Sequence, residues 1–264
     1  TLYQIVAWAA FLVGIIPFAA RPVLSLASPG FAVSGQPNGF ADFNVVMLGG
    51  SFIAVLILFS IPVTLLGCIS PFTIRLAMKD VESAGQTAGR VYAISTAGSF
   101  LGTFLPDLVL VPTIGTRYTF ILLSLFLLTI ALFGLSRSRP RRLLLYLWMP
   151  AVIILLALIL RGQPVKGAEN TIYETESAYN YIQVVEGEGC RYLLLNEGQG
   201  IHSVYCPQQL HTTGPWDYFL IAPYFNPPPY TPDRVESVAL IGLAAGTIAR
   251  QYTAVYGPLP IDGV

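Results

Sequence analysis

Five long apolar runs constrain the fold of this chain more than any other feature of its sequence. They cover roughly residues 2–20, 44–69, 90–112, 118–136 and 143–160. A helix needs about 20 apolar residues to cross a bilayer, and only helices or closed barrels satisfy their backbone hydrogen bonds within lipid. The composition agrees, since 54% of the residues are hydrophobic and 11% are charged. The sequence therefore predicts an integral membrane protein, with a five-helix transmembrane region over residues 1–161.

Small residues within the third apolar run predict close helix packing. Gly98 and Gly102 form a GxxxG pair, and Gly89, Ala93 and Ala97 extend it into a stripe. Such stripes let the backbones of neighbouring membrane helices approach closely. We therefore expect a second helix to lie against this one.

The charge distribution divides the chain near Arg161. Residues 1–160 hold nine Lys and Arg against four Asp and Glu, whereas residues 161–264 hold five against ten. Nucleic-acid binding needs clustered Lys and Arg, so the acidic C-terminal part argues against it. The basic residues of the N-terminal part concentrate in the loops after the second and fourth runs: Arg75, Lys79, Arg90, Arg137, Arg139, Arg141 and Arg142. The positive-inside rule makes these loops cytoplasmic, which places everything after the fifth run outside the cytoplasm.

Residues 162–212 predict a linker followed by a small β domain. Alternating runs cover 181–186, 191–195 and 201–205. If the last two runs pair as a hairpin about Gly198, opposite residue numbers sum to 396, so that Leu195 faces Ile201 and Cys190 faces Cys206. A disulfide between these cysteines would persist only in an oxidising compartment, in agreement with the charge rule. The alternative is a cytosolic domain with two unpaired cysteines.

The segment 238–250 predicts a ligand-binding turn within the third part of the chain, residues 213–264. An apolar run enters a turn of small residues and leaves as a helix, as in the first strand, loop and helix of a nucleotide-binding domain. Gly242 and Gly246 would let the backbone approach a ligand, while Ala244 and Ala245 would let helix and strand pack tightly. We expect the helix N-terminus near Gly246 to face an open cleft, where its amides could bind an anion or a ribose. The dinucleotide fingerprint has a third glycine, so an ordinary strand-to-helix turn is the alternative.

Two further elements are expected around this turn. Residues 214–225 predict a helix with an aromatic face. The first residue is Thr1 and not Met, and residues 261–264 read as the start of another strand, so both ends of the chain look cut. No spacing of histidines and cysteines matches a metal site.

Several segments, taken in order, resemble spermidine synthases. They are 176–184, 194–198 and 241–247. Upstream, 70–75, 88–99 and 112–115 are similar to bacterial inner-membrane proteins in which a major-facilitator-like helical region is fused to such a domain. The resemblance covers about residues 45–264. It implies a membrane α-helical bundle, then a small β domain and the start of an α/β Rossmann-like (methyltransferase-type) domain, truncated after its first βα unit.

This resemblance implies a transferase of polyamine biosynthesis, moving an aminopropyl group from decarboxylated S-adenosylmethionine to a polyamine. Asn180 matches the family's glutamine that contacts the adenosine, residues 242–246 would lie under the nucleoside, and Asp217 is the candidate catalytic residue near the amine. Ala245 stands near the place of the aspartate that holds the cofactor's amine, and an aliphatic side chain cannot bind an ammonium group.

The alternative function is that of a catalytically degenerate relative, serving as a structural or accessory subunit of a membrane complex or as a homo-oligomer in the bilayer. The missing loop aspartate and the outward orientation favour it. The family's cofactor is cytosolic, so an active enzyme would instead have its C-terminal domain in the cytoplasm.

Overall fold

The computed structural model describes two compact units. The described residues are 2–27, 45–78, 80–161, 170–177, 179–195, 200–227 and 231–264. The first unit comprises Thr1–Lys166 with Glu176–Ala178, and the second comprises Gly167–Thr175 with Tyr179–Val264. The chain is mostly helical, with a small antiparallel sheet. Each unit is described by itself below.

Apolar helices make up the first unit. They are α1 (Leu2–Ala27), α2 (Val45–Gly67), α3 (Ile69–Ala77), α4 (Ala84–Leu105), a π-helical segment (Pro106–Leu110), α5 (Val111–Ser138), α6 (Pro140–Leu143) and α7 (Trp148–Ile159). Four helical stretches of the described residues are long and apolar enough to cross a membrane: Leu2–Leu24, Gly49–Ala77, Ala84–Ser138 and Pro140–Ile159. The chain is therefore an integral membrane protein, and four stretches stand where five runs were predicted.

The difference in number lies in the third stretch, which contains both the third and the fourth predicted runs. Its 55 residues would extend about 80 Å as one straight helix, whereas the hydrocarbon core of a bilayer is about 30 Å thick. Gly115 breaks the stretch, with φ 80° and ψ 161°, a non-helical conformation that glycine adopts without a Cβ clash. The apolar stretch therefore changes course at Gly115.

Helix α5 runs antiparallel to α1 after this break. The Ser124 hydroxyl donates to the Ala10 carbonyl at 2.6 Å, and an added Cβ at Gly134 would overlap the ring of Tyr3. Residue numbers thus rise along α5 as they fall along α1. Helix α7 runs parallel to α1. Trp148 at its start contacts Phe11, and Ile153 farther along α7 lies against Gly14.

The bundle has a basic end, which we define by the start of α1, the end of α2 and the end of α5. The last third of α2 lies beside the first half of α1, so α2 also runs antiparallel to α1 and ends there. Arg117 lies at the opposite end, where its Nη1 donates to the Leu160 carbonyl at 2.9 Å after α7. Residues 84–114 must therefore lead from the basic end to the opposite end.

Close packing in this bundle occurs at Gly14 and Gly134 and not at the predicted stripe. An added Cβ at Gly14 would lie 2.7 Å from Ile153 Cδ1 and still closer to the Ser124 hydroxyl. Added Cβ atoms at Gly98 and Gly102, by contrast, would meet nothing within 4 Å among the described residues. Among the described residues, no helix therefore packs closely at Gly98 and Gly102, where the sequence predicted close packing.

The second unit begins with a four-stranded sheet in the order β1-β2-β3-β4. The strands are Thr171–Glu176, Tyr181–Gly187, Cys190–Leu195 and Gly200–Tyr205. A two-residue turn joins β2 to β3, with Glu188 at φ 51° and Gly189 at φ 75°. Positive φ at both central positions is typical of a tight hairpin turn. The strands predicted over 181–186, 191–195 and 201–205 are therefore confirmed.

The register of β3 and β4 agrees with the predicted one only away from their connection. Leu193 pairs with Ser203, as expected for numbers that sum to 396, but Leu195 pairs with Gly200 and not with Ile201. The predicted Leu195–Ile201 pair is wrong because a β-bulge at His202 adds one residue to β4.

A β-α-β arrangement follows the sheet. It comprises β5 (Val238–Leu240), α8 (Thr247–Tyr256) and β6 (Ile261–Gly263), with the two strands paired in parallel. The described residues show this one arrangement and not a Rossmann-like domain. Residues Pro215–Phe225 form a 3₁₀-helix and not the α-type helix that the aromatic face suggested. Pro223 lies inside this segment, and proline lacks the N–H that an α-helix needs there.

Candidate functional site

The turn between β5 and α8 has the predicted strand-to-helix course. Gly242, Ala244 and Gly246 all adopt positive φ, at 89°, 48° and 82°. Gly246 is the N-cap of α8, whose first residue is Thr247. The candidate cofactor-binding residues Gly242, Ala244, Ala245 and Gly246 therefore lie in one turn at a helix N-terminus.

Most backbone amides of this turn donate to acceptors inside the unit. Gly242 and Leu243 both donate to the Val264 carbonyl, at 2.8 and 3.0 Å, and Gly246 donates to the Leu243 carbonyl at 2.9 Å. Ala245 donates to the hydroxyl of Ser203 on β4 at 2.9 Å. A nucleotide loop binds its ligand through such amides, and these four are already occupied.

The start of α8 packs against β4. Thr247 is 5% exposed, and its hydroxyl accepts from the Val204 amide at 2.8 Å and donates to the Val204 carbonyl at 3.0 Å. This side chain joins helix and strand without any ligand. The expected open cleft at the helix N-terminus is therefore filled by β4 on the side of Thr247.

Asp217, the candidate catalytic residue, accepts hydrogen bonds from several neighbouring groups of the protein. Its carboxylate accepts from the Thr212 amide at 3.0 and 3.1 Å, from the Thr212 hydroxyl at 3.0 Å, from the Thr213 amide at 2.9 Å and from the Gln251 side-chain amide. Burial raises the pKa of the Asp217 carboxyl, but these hydrogen bonds together outweigh it and hold the pKa below its usual value. A carboxylate with so many donors fixes the segment before it and has little capacity left for a substrate amine.

Replacing Asp217 with asparagine should therefore destabilise the second unit by about 2 kcal/mol, because hydrogen bonds to a charged acceptor are lost and an NH₂ group faces N–H donors. Thermal or denaturant unfolding measures this loss. The wild-type contribution is present above the usual aspartate pKa and declines as pH falls through the lowered folded value. The wild-type advantage over the variant should thus vanish in strong acid. The exposed Asp233→Asn is the matched control, and equal losses in both variants would refute the structural role.

Helix α8 holds the preceding segment by side chains that the sequence-based reasoning did not single out. Gln251 is 1% exposed and donates to the Leu210 carbonyl at 3.1 Å. The Tyr252 hydroxyl donates to the Phe219 carbonyl at 2.6 Å, and Arg250 stacks over the Tyr205 ring at 4.8 Å. The signal available in the sequence was the run of polar and aromatic residues after Thr247. These contacts make α8 an organising helix of the unit.

Asn180 lies apart from this turn in the sheet, and the two cysteines form a disulfide at the end of β4. Asn180 directly precedes β2, and β3 separates β2 from β4, so that two strand spacings of about 4.8 Å each stand between them. The structure therefore does not bring Asn180 into the turn with Gly242, Ala244, Ala245 and Gly246. Cys190 and Cys206 form a disulfide, with Cα atoms 4.3 Å apart, and it packs against Val204 and Trp216.

Comparisons with protein-family models, curated proteins and solved structures find no match to this chain. Within the described residues, no group of three or more His, Cys, Asp and Glu side chains could hold a metal ion. The structural features that bear on function are the membrane helices, the turn at α8, the carboxylate of Asp217 and the disulfide.

Proposed function

We propose that this chain is a membrane-anchored, spermidine synthase-like protein that serves as a structural or accessory subunit of a membrane complex. In this proposal the C-terminal unit belongs to a Rossmann-like (methyltransferase-type) domain whose loop has become a structural turn. The observation that carries it is the internal use of the loop amides of Gly242, Leu243, Ala245 and Gly246.

Two other features support a loss of aminopropyl transfer. Ala245 has no carboxylate for the ammonium group of decarboxylated S-adenosylmethionine. Asp217, the carboxylate that could have stood near the attacking amine, is bound by Thr212, Thr213 and Gln251. A general base must be able to reach the proton that it removes, and this one is held by its own loop and by α8.

We also propose that the chain spans a bacterial inner membrane and that its C-terminal unit lies outside the cytoplasm. The Cys190–Cys206 disulfide supports this orientation, because such bonds are rare in the reducing cytosol. The arginines after α2 and at the end of α5 support it too, since both groups belong to the basic end of the bundle and cytoplasmic loops are enriched in arginine. The cytosolic cofactor of an active enzyme would not be available on the outer side.

Calorimetric titration of the purified chain with decarboxylated S-adenosylmethionine tests this proposal. We expect no binding stronger than roughly 1 mM, about 4 kcal/mol at the standard state. Ser203→Ala frees the Ala245 amide and should still not bind, because the missing carboxylate is the larger defect. An active spermidine synthase titrated in parallel is the positive control. Micromolar binding by the wild-type chain, or putrescine-dependent turnover, would replace this proposal with the transferase.

A further inference from the structure

A groove at the basic end of the bundle is a cavity among the described residues that the proposed function does not use. It has a volume of about 430 Å³, within the range of about 300–1,000 Å³ typical of small-molecule sites. Its walls are mainly apolar, with Ile5, Trp8 and Leu12 of α1 and Ile61 and Leu65 of α2, and Gln4 and Tyr146 add polar groups. Such a groove in a membrane bundle suits an acyl chain.

Aromatic residues place the mouth of this groove at headgroup depth. Trp8 lies 6.3 Å from Trp148, ring centre to ring centre, and Tyr146 lies two residues before Trp148. Tryptophan and tyrosine concentrate at the membrane–water interface. From Ile5 to Leu12 the helix rises about 10 Å, so the groove extends from the interface into the hydrocarbon region.

Three arginines precede the groove residue Tyr146 in the chain, at the basic end of the bundle. Arg139, Arg141 and Arg142 are exposed, and the Leu145 amide donates to the Arg142 carbonyl at 3.1 Å. Arg142 therefore lies one turn of chain before Tyr146, which lines the groove. Basic clusters next to membrane helices attract anionic lipid headgroups.

We propose that this groove binds an anionic phospholipid, with one acyl chain between α1 and α2 and the phosphate group beside Arg139, Arg141 and Arg142. The apolar walls and the arginines are separate requirements, and both are met by a phosphate that carries a hydrocarbon chain. A free phosphate would use the arginines alone. A zwitterionic lipid would use the walls but gain little from the arginines. This site is independent of the turn at α8 and therefore of the proposed function.

Native mass spectrometry of the detergent-purified full chain, with equal amounts of phosphatidylglycerol and phosphatidylcholine added, tests the proposal. We expect phosphatidylglycerol adducts to exceed phosphatidylcholine adducts by about tenfold, since each basic residue near the headgroups adds to anionic lipid binding. The triple variant R139Q/R141Q/R142Q should remove this preference. The matched control R21Q/R161Q changes arginines away from the basic end and should keep it. Equal adduct numbers in the wild type, or equal losses in both variants, would overturn the proposal.

A second pair of variants tests the groove itself. Ile61→Phe fills it, whereas Ile57→Phe adds the same bulk one turn earlier on α2, and the two isoleucines are 61% and 59% exposed. We expect Ile61→Phe alone to lower the number of bound lipids of both kinds severalfold. Displacement of phosphatidylglycerol by soluble glycerol phosphate would identify a free-phosphate site and overturn the lipid assignment. A dimer that forms without lipid and is lost only in Ile61→Phe would assign the groove to a second copy of the chain.

Discussion

Replacing Gly14 with leucine is expected to prevent α1, α5 and α7 from packing together. The added Cβ alone would lie 2.7 Å from Ile153 Cδ1 and closer to the Ser124 hydroxyl. Both side chains are 0% exposed, so neither can move aside into lipid or solvent. We expect a loss of about 3–5 kcal/mol, from overpacking and from the broken Ser124–Ala10 hydrogen bond.

Gly98→Leu is the matched control for this substitution. It introduces the same side chain into another apolar helix, at a position where an added Cβ would meet nothing within 4 Å of the described residues. Thermal unfolding in detergent, followed with gel filtration, should show a large loss for Gly14→Leu and little change for Gly98→Leu. A Gly98→Leu variant as unstable as Gly14→Leu would mean that α4 has a close neighbour after all.

Removing the disulfide should have the second large effect, confined to the second unit. The bond closes a loop with a sequence separation of 16 residues, for which the chain-entropy account gives about 3 kcal/mol. Replacing Cys190 and Cys206 with alanine should lower the unfolding free energy of the unit by this amount. Fluorescence of Trp216, which packs against the disulfide, reports the transition. Reducing agent added to the wild type should reproduce the loss, and Cys68→Ala should not.

The same cysteine pair bears on the orientation of the C-terminal unit. Protein from cells, alkylated in acid before any reduction, should gain two hydrogens in mass when it is reduced. In a Cys68→Ala background, Glu236→Cys should react with a membrane-impermeant maleimide in intact spheroplasts. Arg141→Cys, at the basic end, should react only after permeabilisation. The reverse pattern would place the unit in the cytoplasm and favour the transferase.

Local sequence patterns predicted the elements that depend on near neighbours. Hydropathy identified the membrane helices, alternation identified β2, β3 and β4, and small residues identified the turn between β5 and α8. These features arise from periodicity and turn chemistry, which a single sequence contains. The pairing of β3 with β4 was predicted from residue count alone. A one-residue bulge at His202 was enough to shift the register near the segment that connects them.

Partners distant in sequence could not be predicted in this way. The Ala245 amide donates to the Ser203 hydroxyl, 42 residues away in the sequence. Gly14 of α1 packs against Ser124 of α5. A glycine has the same local preferences whether a helix lies against it or not, so Gly14 and Gly98 could not be distinguished. The composition of the loop between β5 and α8 likewise did not indicate that its backbone amides would donate to acceptors within the same unit.

In the proposed topology, the break at Gly115 also sets the side of the membrane on which the residues after it come to lie. Each crossing takes the chain to the other side of the membrane. The side on which the C-terminal unit lies therefore depends on whether the number of crossings is odd or even. In the structure Ala84–Ser138 is one long apolar helical stretch, and two crossings require the insertion machinery to divide it in two. A residue that prefers helix here, such as alanine, would favour a single long insertion and would send β1 to β6 to the wrong compartment. The conformation at Gly115 thus decides whether the number of crossings is odd or even. Where it does not form, we expect a fraction of chains with the C-terminal unit on the opposite side of the membrane.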